Sequence, residues 1–451
     1  MYKVEIKKNE KLTDDNCSNG IYYFNLAKLN CGIDPIIKTN IFSKFEKYGV
    51  SLSAIAEDLL IIALSVYALD KRFLRIDSTD AWTREFNVKI PVCEIDKWQS
   101  IKSKVDAMLC FLSGDVWDVE FVATEQRIID GSDRALDIQR DYDCVSLFSG
   151  GLDSFCGAIK LLEANKKVLF VGNEEYPKLK VRQEELINIL RKNYNQSDFA
   201  IKTFTSQVQS YKYEDKTSFS TENTTRTRSM LFLAAAIAFS TLMAKPDIPV
   251  YIPENGFIGL NLPITPSRMG TCSTRTTHPK FLRMLNDILE SVGFKTTVIN
   301  PFKYCAKSDV VRGVESTIAF KQGAVLTISC SHPTNGRYRK GGTYPNNCGY
   351  CYPCLIRKSS LLHLDLTEDY DYNMNVVFWG KSENKKDDIR SMLFAARQYK
   401  IYGRDYVLNR VIVEGNLNPD EIEPFVDLYV KTMEDFIATI SDQRLKNYAG
   451  I

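Results

Sequence analysis

The sequence predicts an α/β protein: a central parallel sheet with helices on both faces, preceded by a smaller α+β unit and followed by a helical region. Three observations carry this. Short apolar strands alternate with helical stretches from Val145 to Ile299. A glycine-rich turn, Ser149-Gly150-Gly151-Leu152-Asp153-Ser154, joins the first of those strands to a helix. Three cysteines, Cys348, Cys351 and Cys354, follow C-x2-C-x2-C spacing. Strands that alternate with helices read as βαβ units, and such sheets take ligands beyond the carboxyl ends of their strands.

In chain order, residues 1–140 mix strands at Tyr2–Ile6, Ile21–Leu26, Glu85–Ile90 and Asp118–Ala123 with helices at Ser53–Leu69 and Ile95–Leu112. This is the α+β unit, a candidate for partner recognition, with the charged stretch Asp130–Asp143 as its exit linker. Residues 141–365 hold strands at Val145–Phe148, Val168–Val171, Phe199–Phe204, Ile248–Ile252 and Lys295–Ile299. The helices between them are Ser154–Ala164, Val181–Lys192, Arg226–Ala244 and Pro279–Val292. Residues 366–451 are polar and helical, most clearly at Asp388–Tyr399 and Pro419–Ile440, and show no pattern of chemistry.

With 451 residues the chain is long enough for two or three domains, and 44% hydrophobic with 25% charged residues is an ordinary globular composition. A net charge of +2 argues against a global field for nucleic acid. The first residues lack an apolar secretory segment. The apolar run Met230–Ala244 is short and broken by Ser240 and Thr241, so it fits a buried helix and no membrane span is expected. Twelve cysteines without a secretory signal suggest reduced thiols and a metal site, hence a cytoplasmic protein.

Gly150 and Gly151 let the backbone turn sharply and approach a ligand. The helix that follows offers unpaired N–H groups and a positive dipole end, which suits phosphate. Ser149 and Ser154 can add hydroxyl donors, and Asp153 suits Mg²⁺. No lysine follows the glycines and the G-x-G-x-x-G pattern is absent, so neither common phosphate motif applies. The competing possibility is a plain strand-to-helix turn capped by Asp153. At the cysteines, a C-x2-C turn delivers two thiolates to Zn²⁺. Cys330 supplies a fourth, His332 is the alternative fourth ligand, and an iron–sulfur cluster is the competing metal. Four protein ligands leave no open position, so the site reads as structural.

The segment SGGLDS resembles the pyrophosphate loop of the N-type ATP pyrophosphatases. The resemblance implies a Rossmann-like sheet of the adenine-nucleotide alpha hydrolase kind, ATP with its β,γ-phosphates on Ser149–Ser154, and AMP-forming chemistry. It places adenine near Phe170, Val171 and Gly172. Together with Cys-x17-Cys-x2-Cys-x2-Cys, residues 145–365 resemble the QueC-like members, which implies activation of 7-carboxy-7-deazaguanine. Ammonia then gives the nitrile 7-cyano-7-deazaguanine by way of an amide. The chain's length and extra segments are similar to the long QueC-like proteins of the Qat antiphage system. That likeness implies amide formation on the N-terminus of an operon-encoded partner protein. The usual Tyr-Gly-Gln after the second strand is missing, and Arg182, Gln183 and Glu184 stand nearby in its place. A nucleotide-binding scaffold without catalysis is the alternative from another class.

Within this frame Asp153, Ser154, Arg226 and Lys307 are the catalytic candidates, Lys307 by the family resemblance. Arg226 and Arg228 are two residues apart at a helix start, so at most one faces the site. Glu254 and Asn255 follow a strand end, where an acid and an amide can read the donor edge of a guanine-like base. Arg268, Arg275 and His278 sit on a basic loop suited to a substrate carboxylate or the α-phosphate. Each has a bland alternative as a solvated charge, a turn former or a cap.

Overall fold

In the computed structural model, residues 1–10, 17–18, 20–29, 32, 35–46, 51–129, 140–209, 221–223, 226–245, 247–263, 275–338, 344–378, 386–414 and 416–451 are described. The first unit comprises β1 (Tyr2–Lys8), β2 (Cys17–Ser18), β3 (Ile21–Leu26), β4 (Ile37–Thr39), α1 (Ile41–Glu46) and α2 (Ala54–Arg72). It continues with β5 (Glu85–Val92), α3 (Ile95–Ser100), α4 (Lys102–Ser113) and β6 (Val116–Ala123). Its sheet has the order β2-β3-β1-β5-β6. Strands β3, β1, β5 and β6 run parallel, and only β2 is antiparallel. This corrects the α+β expectation: two helices bridge β5 and β6, so the chain returns in the same direction, which alternation within a strand cannot reveal. The expected helix at Ile95–Leu112 is two helices that meet at Ile101. Alternation buries Val4, Ile6, Val88, Ile90, Val119 and Phe121 on one face.

The central unit contains β7 (Cys144–Leu147), α5 (Leu152–Glu163), β8 (Val168–Asn173), α6 (Pro177–Asn193), β9 (Phe199–Phe204) and β10 (Ser206–Val208). After them come α7 (Arg228–Thr241), β11 (Val250–Tyr251), α8 (Gly256–Leu260), α9 (Pro279–Val292) and β12 (Val298–Ile299). The sheet order is β12-β11-β7-β8-β9, parallel throughout. Strand order therefore reverses between β7 and β11, and the crevice at such a switch point is where an open parallel sheet binds ligands. Cys144, Phe148, Val168 and Phe170 face α5 and α6, while Val145, Leu169 and Val171 face the opposite layer with α7 and α9.

Helix α2 is buried nearly all round, which requires partners on every side. It packs between the first sheet and α7, so one apolar core runs from Val4 through Leu60 and Ile237 to Leu285. The antiparallel pair of β10 with β4 ties the two units again.

The remaining helices are α10 (Lys307–Arg312), α11 (Ile318–Gly323), α12 (Tyr352–Leu361), α13 (Asp387–Glu414), α14 (Pro419–Ala438) and α15 (Gln443–Ala449). Helix α13 is broken at Gly403, where φ is +61°. A second core joins α8, the cysteine segment, α12, α13 and α14 through Phe257, Cys351, Met392 and Phe425. No helix of the described residues is long and apolar enough to cross a membrane.

Candidate active site and metal centre

Strand β7 ends beneath the SGGLDS turn. Gly150 has φ +83°, the left-handed region that favours glycine. The turn is braced from two sides. Ile328 N–H donates to the Gly150 carbonyl at 3.1 Å, and Leu152 N–H donates to Ser329 Oγ at 3.3 Å. On the other side, Gln183 Nε2 donates to the carbonyls of Phe148, Ser149 and Asn173 at 3.4, 3.2 and 3.2 Å. Gly172 lies so close that a Cβ there would stand 2.9 Å from the Phe148 carbonyl oxygen. Ser149 Oγ and Ser154 Oγ are 3.1 Å apart, and Ser154 Oγ donates to the Gly151 carbonyl at 3.0 Å.

Both serines line an open cleft over the carboxyl ends of β7, β8 and β11. Val171, Asn173, Glu175, Arg228, Phe232, Glu254 and Thr277 are among its other walls, and Arg228 Nη1 pairs with the Glu175 carboxylate there. Three buried polar atoms at this end of the sheet, Ser146 Oγ, Asn173 Oδ1 and Gln183 Oε1, have no hydrogen-bond partner. Such groups are uncommon in finished cores.

A charged cluster lies under the turn. Lys307 Nζ stands 2.6 Å from Asp153 Oδ2, and Asn255 Nδ2 donates to that same oxygen and to Glu254 Oε1, each at 3.0 Å. Burial pushes the Asp153 carboxyl up, but the Lys307 ammonium and hydrogen bonds from Glu254, Lys307 and Asn255 outweigh it and hold the group below its ordinary range. Burial and then the Asp153 charge push the Glu254 carboxyl well above its ordinary range. Glu254 therefore keeps its proton in the fold where the unfolded chain has lost it.

That state has a consequence for stability. A raised folded-state value means that stability declines as pH rises above the unfolded value near 4.5, until the folded group also ionises. Glu254→Gln has no proton to lose. Its urea midpoint is expected to exceed that of the wild type more at about pH 8 than at about pH 5. An equal difference at both values would show that Glu254 is ionised in the fold.

The structure brings Ser149, Gly150, Gly151, Leu152, Asp153, Ser154, Glu254, Asn255 and Lys307 together. Asn255 is fully buried, and its Oδ1 caps α8 by accepting from Ile258 N–H at 3.1 Å. It braces the carboxyl pair and does not face the cleft. Val171 lines the cleft, whereas Phe170 is in the core against Phe148 and Phe199. Strand alternation puts these neighbours on opposite faces.

Three candidates lie elsewhere. Arg226 is turned into the first unit, where Nη1 donates to the Ser113 carbonyl at 2.6 Å, and Arg228 lines the cleft in its place. Helix α7 begins at Arg228, so the two arginines sit on either side of the cap residue Thr227 and diverge. Arg275 Nη1 donates to the Phe111 carbonyl at 2.7 Å. His278 caps α9 by accepting from Lys280 N–H at 3.1 Å and packs on Phe111. Arg268 lies outside the described residues. Asn173, Phe232 and Thr277 are site residues that no sequence motif points to, and Arg228 takes the place expected for Arg226. The strand-end position of Asn173 was the available signal.

The sulfur atoms of Cys330, Cys348, Cys351 and Cys354 lie within 4.8 Å of one another. Cys330 and Cys351 are 3.8 Å apart and Cys348 and Cys354 3.9 Å. A tetrahedral ion with bonds of about 2.3 Å to each thiolate separates its sulfurs by about 3.8 Å, so the quartet could hold a metal such as zinc. Backbone N–H groups of His332 and Cys348 point at Cys330 Sγ from 3.2 and 3.3 Å, and Cys351 N–H at Cys348 Sγ from 3.3 Å. Gly349 has φ +82°, and a Cβ there would lie 1.9 Å from the Tyr372 carbonyl oxygen, so the knuckle requires glycine. With four sulfurs in the set, His332 stacks beside it on Tyr350. No family model and no curated protein matches the chain.

Proposed function

We propose that this chain is an ATP-dependent, AMP-forming ligase that activates 7-carboxy-7-deazaguanine and joins it to an amine, which is the N-terminus of a partner protein in antiphage defence. The observation that carries the ATP half is the turn at the switch point: Gly150 is left-handed, and Ser149 and Ser154 line the cleft at the amino end of α5. The acid and the acceptor rest on the resemblance of the turn and cysteine spacing to the QueC-like enzymes.

In this reading a carboxylate oxygen attacks the α-phosphorus of ATP and pyrophosphate leaves. An amine nitrogen then attacks the acyl carbon, AMP leaves with the bonding pair, and the amine loses a proton. Ser149, Ser154 and the first amides of α5 hold the pyrophosphate. Arg228 offsets its growing charge across the cleft. Val171 and Phe232 form apolar walls for a base. Asp153 Oδ1 has no hydrogen-bond partner, so the ionised Asp153 is the hard oxygen donor that would hold Mg²⁺, which would screen phosphate charge, while the protonated Glu254 stays beside it. The cysteine quartet fits zinc in a structural role.

The test combines the protein with ATP, Mg²⁺ and the deazaguanine acid, then measures AMP, pyrophosphate and the intact mass of the operon partner. Acid-dependent pyrophosphate with a mass increase on the partner is expected. Pyrophosphate without that increase, but with nitrile, moves the acceptor to ammonia. No AMP from any of a panel of carboxylates overturns the adenylation reading. Arg228→Ala is expected to lower kcat by about 10²-fold with little change in melting temperature; an unchanged kcat removes Arg228 from the pyrophosphate site.

A further inference from the structure

We propose that Arg226 forms a second oxyanion site, separate from the nucleotide cleft, at the seam between the start of α7 and the first unit, and that it takes a carboxylate or phosphate group of a small molecule. The proposal is independent of the adenylation reading.

Arg226 is 2% exposed, yet its guanidinium is only partly satisfied. Nη1 donates to the Ser113 carbonyl, while Nε and Nη2 have no hydrogen-bond partner. These two nitrogens form the side-on edge of a guanidinium, the fork that matches both oxygens of a carboxylate or two oxygens of a phosphate. Buried donors left unmet are costly, and a single bond to Ser113 already caps the end of α4. Capping therefore explains Nη1 but not the position of the open fork.

The charges nearby are unbalanced in the same sense. Asp115 accepts two bonds from the Arg75 guanidinium, at 2.8 and 3.0 Å, and two from Arg84, at 3.1 and 2.7 Å. Asp70 accepts from Arg84 at 2.6 Å, and its other oxygen takes the backbone N–H groups of Arg226 and Thr227 at 2.9 and 3.0 Å. Both aspartates are thus committed, and among the described residues no carboxylate lies within ion-pair distance of the Arg226 side chain. Arg75 and Arg275 add further positive charge, and burial together with those two cations pushes the Arg226 guanidinium down to about 10. The Trp82 ring, whose centroid is 4.8 Å from Arg226 Cζ, provides a flat support for the guanidinium plane. An anion on the fork meets both unmet donors and the surplus charge.

Trp82 also makes the site readable. Titration with sodium acetate or inorganic phosphate, at ionic strength fixed with chloride, is expected to shift tryptophan emission and raise the melting temperature. Comparison of the two salts distinguishes a carboxylate site from a phosphate site. Arg226→Lys keeps the cation and loses the fork, and should weaken binding of the preferred anion by about tenfold or more. Arg226→Met should abolish it; if that variant does not fold, the lysine variant supplies the reading. Trp82→Phe should lose the optical signal and keep the thermal shift. Ser154→Ala, in the nucleotide cleft, should keep both. No response to either anion, a response equal to that of chloride, an undiminished response in Arg226→Lys, or a response lost in Ser154→Ala overturns the proposal.

Discussion

Cys351→Ser is expected to lose bound metal and to destabilise the protein by about 3 kcal/mol or more, because structural zinc contributes its binding free energy directly to folding. The variant should also lose nucleotide binding, although Cys351 is absent from the cleft wall. The route is short. Cys330, another member of the quartet, follows Ser329, and the segment before it touches the turn through Ile328 N–H to the Gly150 carbonyl and Ser329 Oγ to Leu152 N–H. Asn347, beside Cys348, accepts from Ser329 N–H at 3.0 Å and donates to the Thr327 carbonyl at 3.2 Å. Arg357 on α12 donates to Thr327 Oγ1 at 2.6 Å. A metal that holds Cys330 to Cys348, Cys351 and Cys354 would therefore hold the outer wall of the SGGLDS turn. Metal analysis, thermal melting and hydrogen exchange over residues 148–155 test this. Cys156→Ser is the control, since Cys156 is buried behind the turn and outside the quartet. If Cys351→Ser retains metal, or exchange in the turn is unchanged, the metal does not support the loop.

The contrast between that quartet and the rest of the site shows which features a sequence can display. Cys348, Cys351 and Cys354 are legible because their spacing is local, set by one knuckle and one helical turn. The SGGLDS turn is legible for the same reason. Gln183 braces that turn from the middle of α6, and its role depends on how far α6 leans over the end of β7, which no local pattern encodes. The choice between Arg226 and Arg228 depended on where α7 begins, and a shift of two residues moves a side chain to another face. Strand alternation located β1, β3, β5 and β6 well but left their directions open. The buried helix α2 looked like part of a separate unit, because nothing in its own sequence states that α7 will cover its far side.

Lys307→Met is expected to cost about 3–5 kcal/mol and at least 10²-fold in activity. Its ammonium is 4% exposed and 2.6 Å from Asp153 Oδ2, so its removal leaves a buried carboxylate with only Asn255 and Glu254 beside it. The sign of the pH dependence separates this cause from a packing defect. In the wild type the Asp153 carboxyl is held low, so the pair contributes stability above the unfolded value of 3.8 and loses it as pH falls through the folded value. Without Lys307, burial dominates and the carboxyl rises, so the variant becomes less stable as pH climbs above 3.8. The deficit of Lys307→Met should accordingly be large at about pH 7 and shrink toward about pH 4. A cavity or a misfit methionine would give the same deficit at both. The double variant Asp153→Asn/Lys307→Met removes both charges and should recover most of the stability, since a neutral buried pair avoids the desolvation of two ions. It should recover none of the activity, because the introduced amide cannot provide the carboxylate oxygen proposed for Mg²⁺. Denaturation midpoints at the two pH values and pyrophosphate release from the single and double variants decide the matter. Restored pyrophosphate release in the double variant would mean that Asp153 and Lys307 support the turn without taking part in the chemistry.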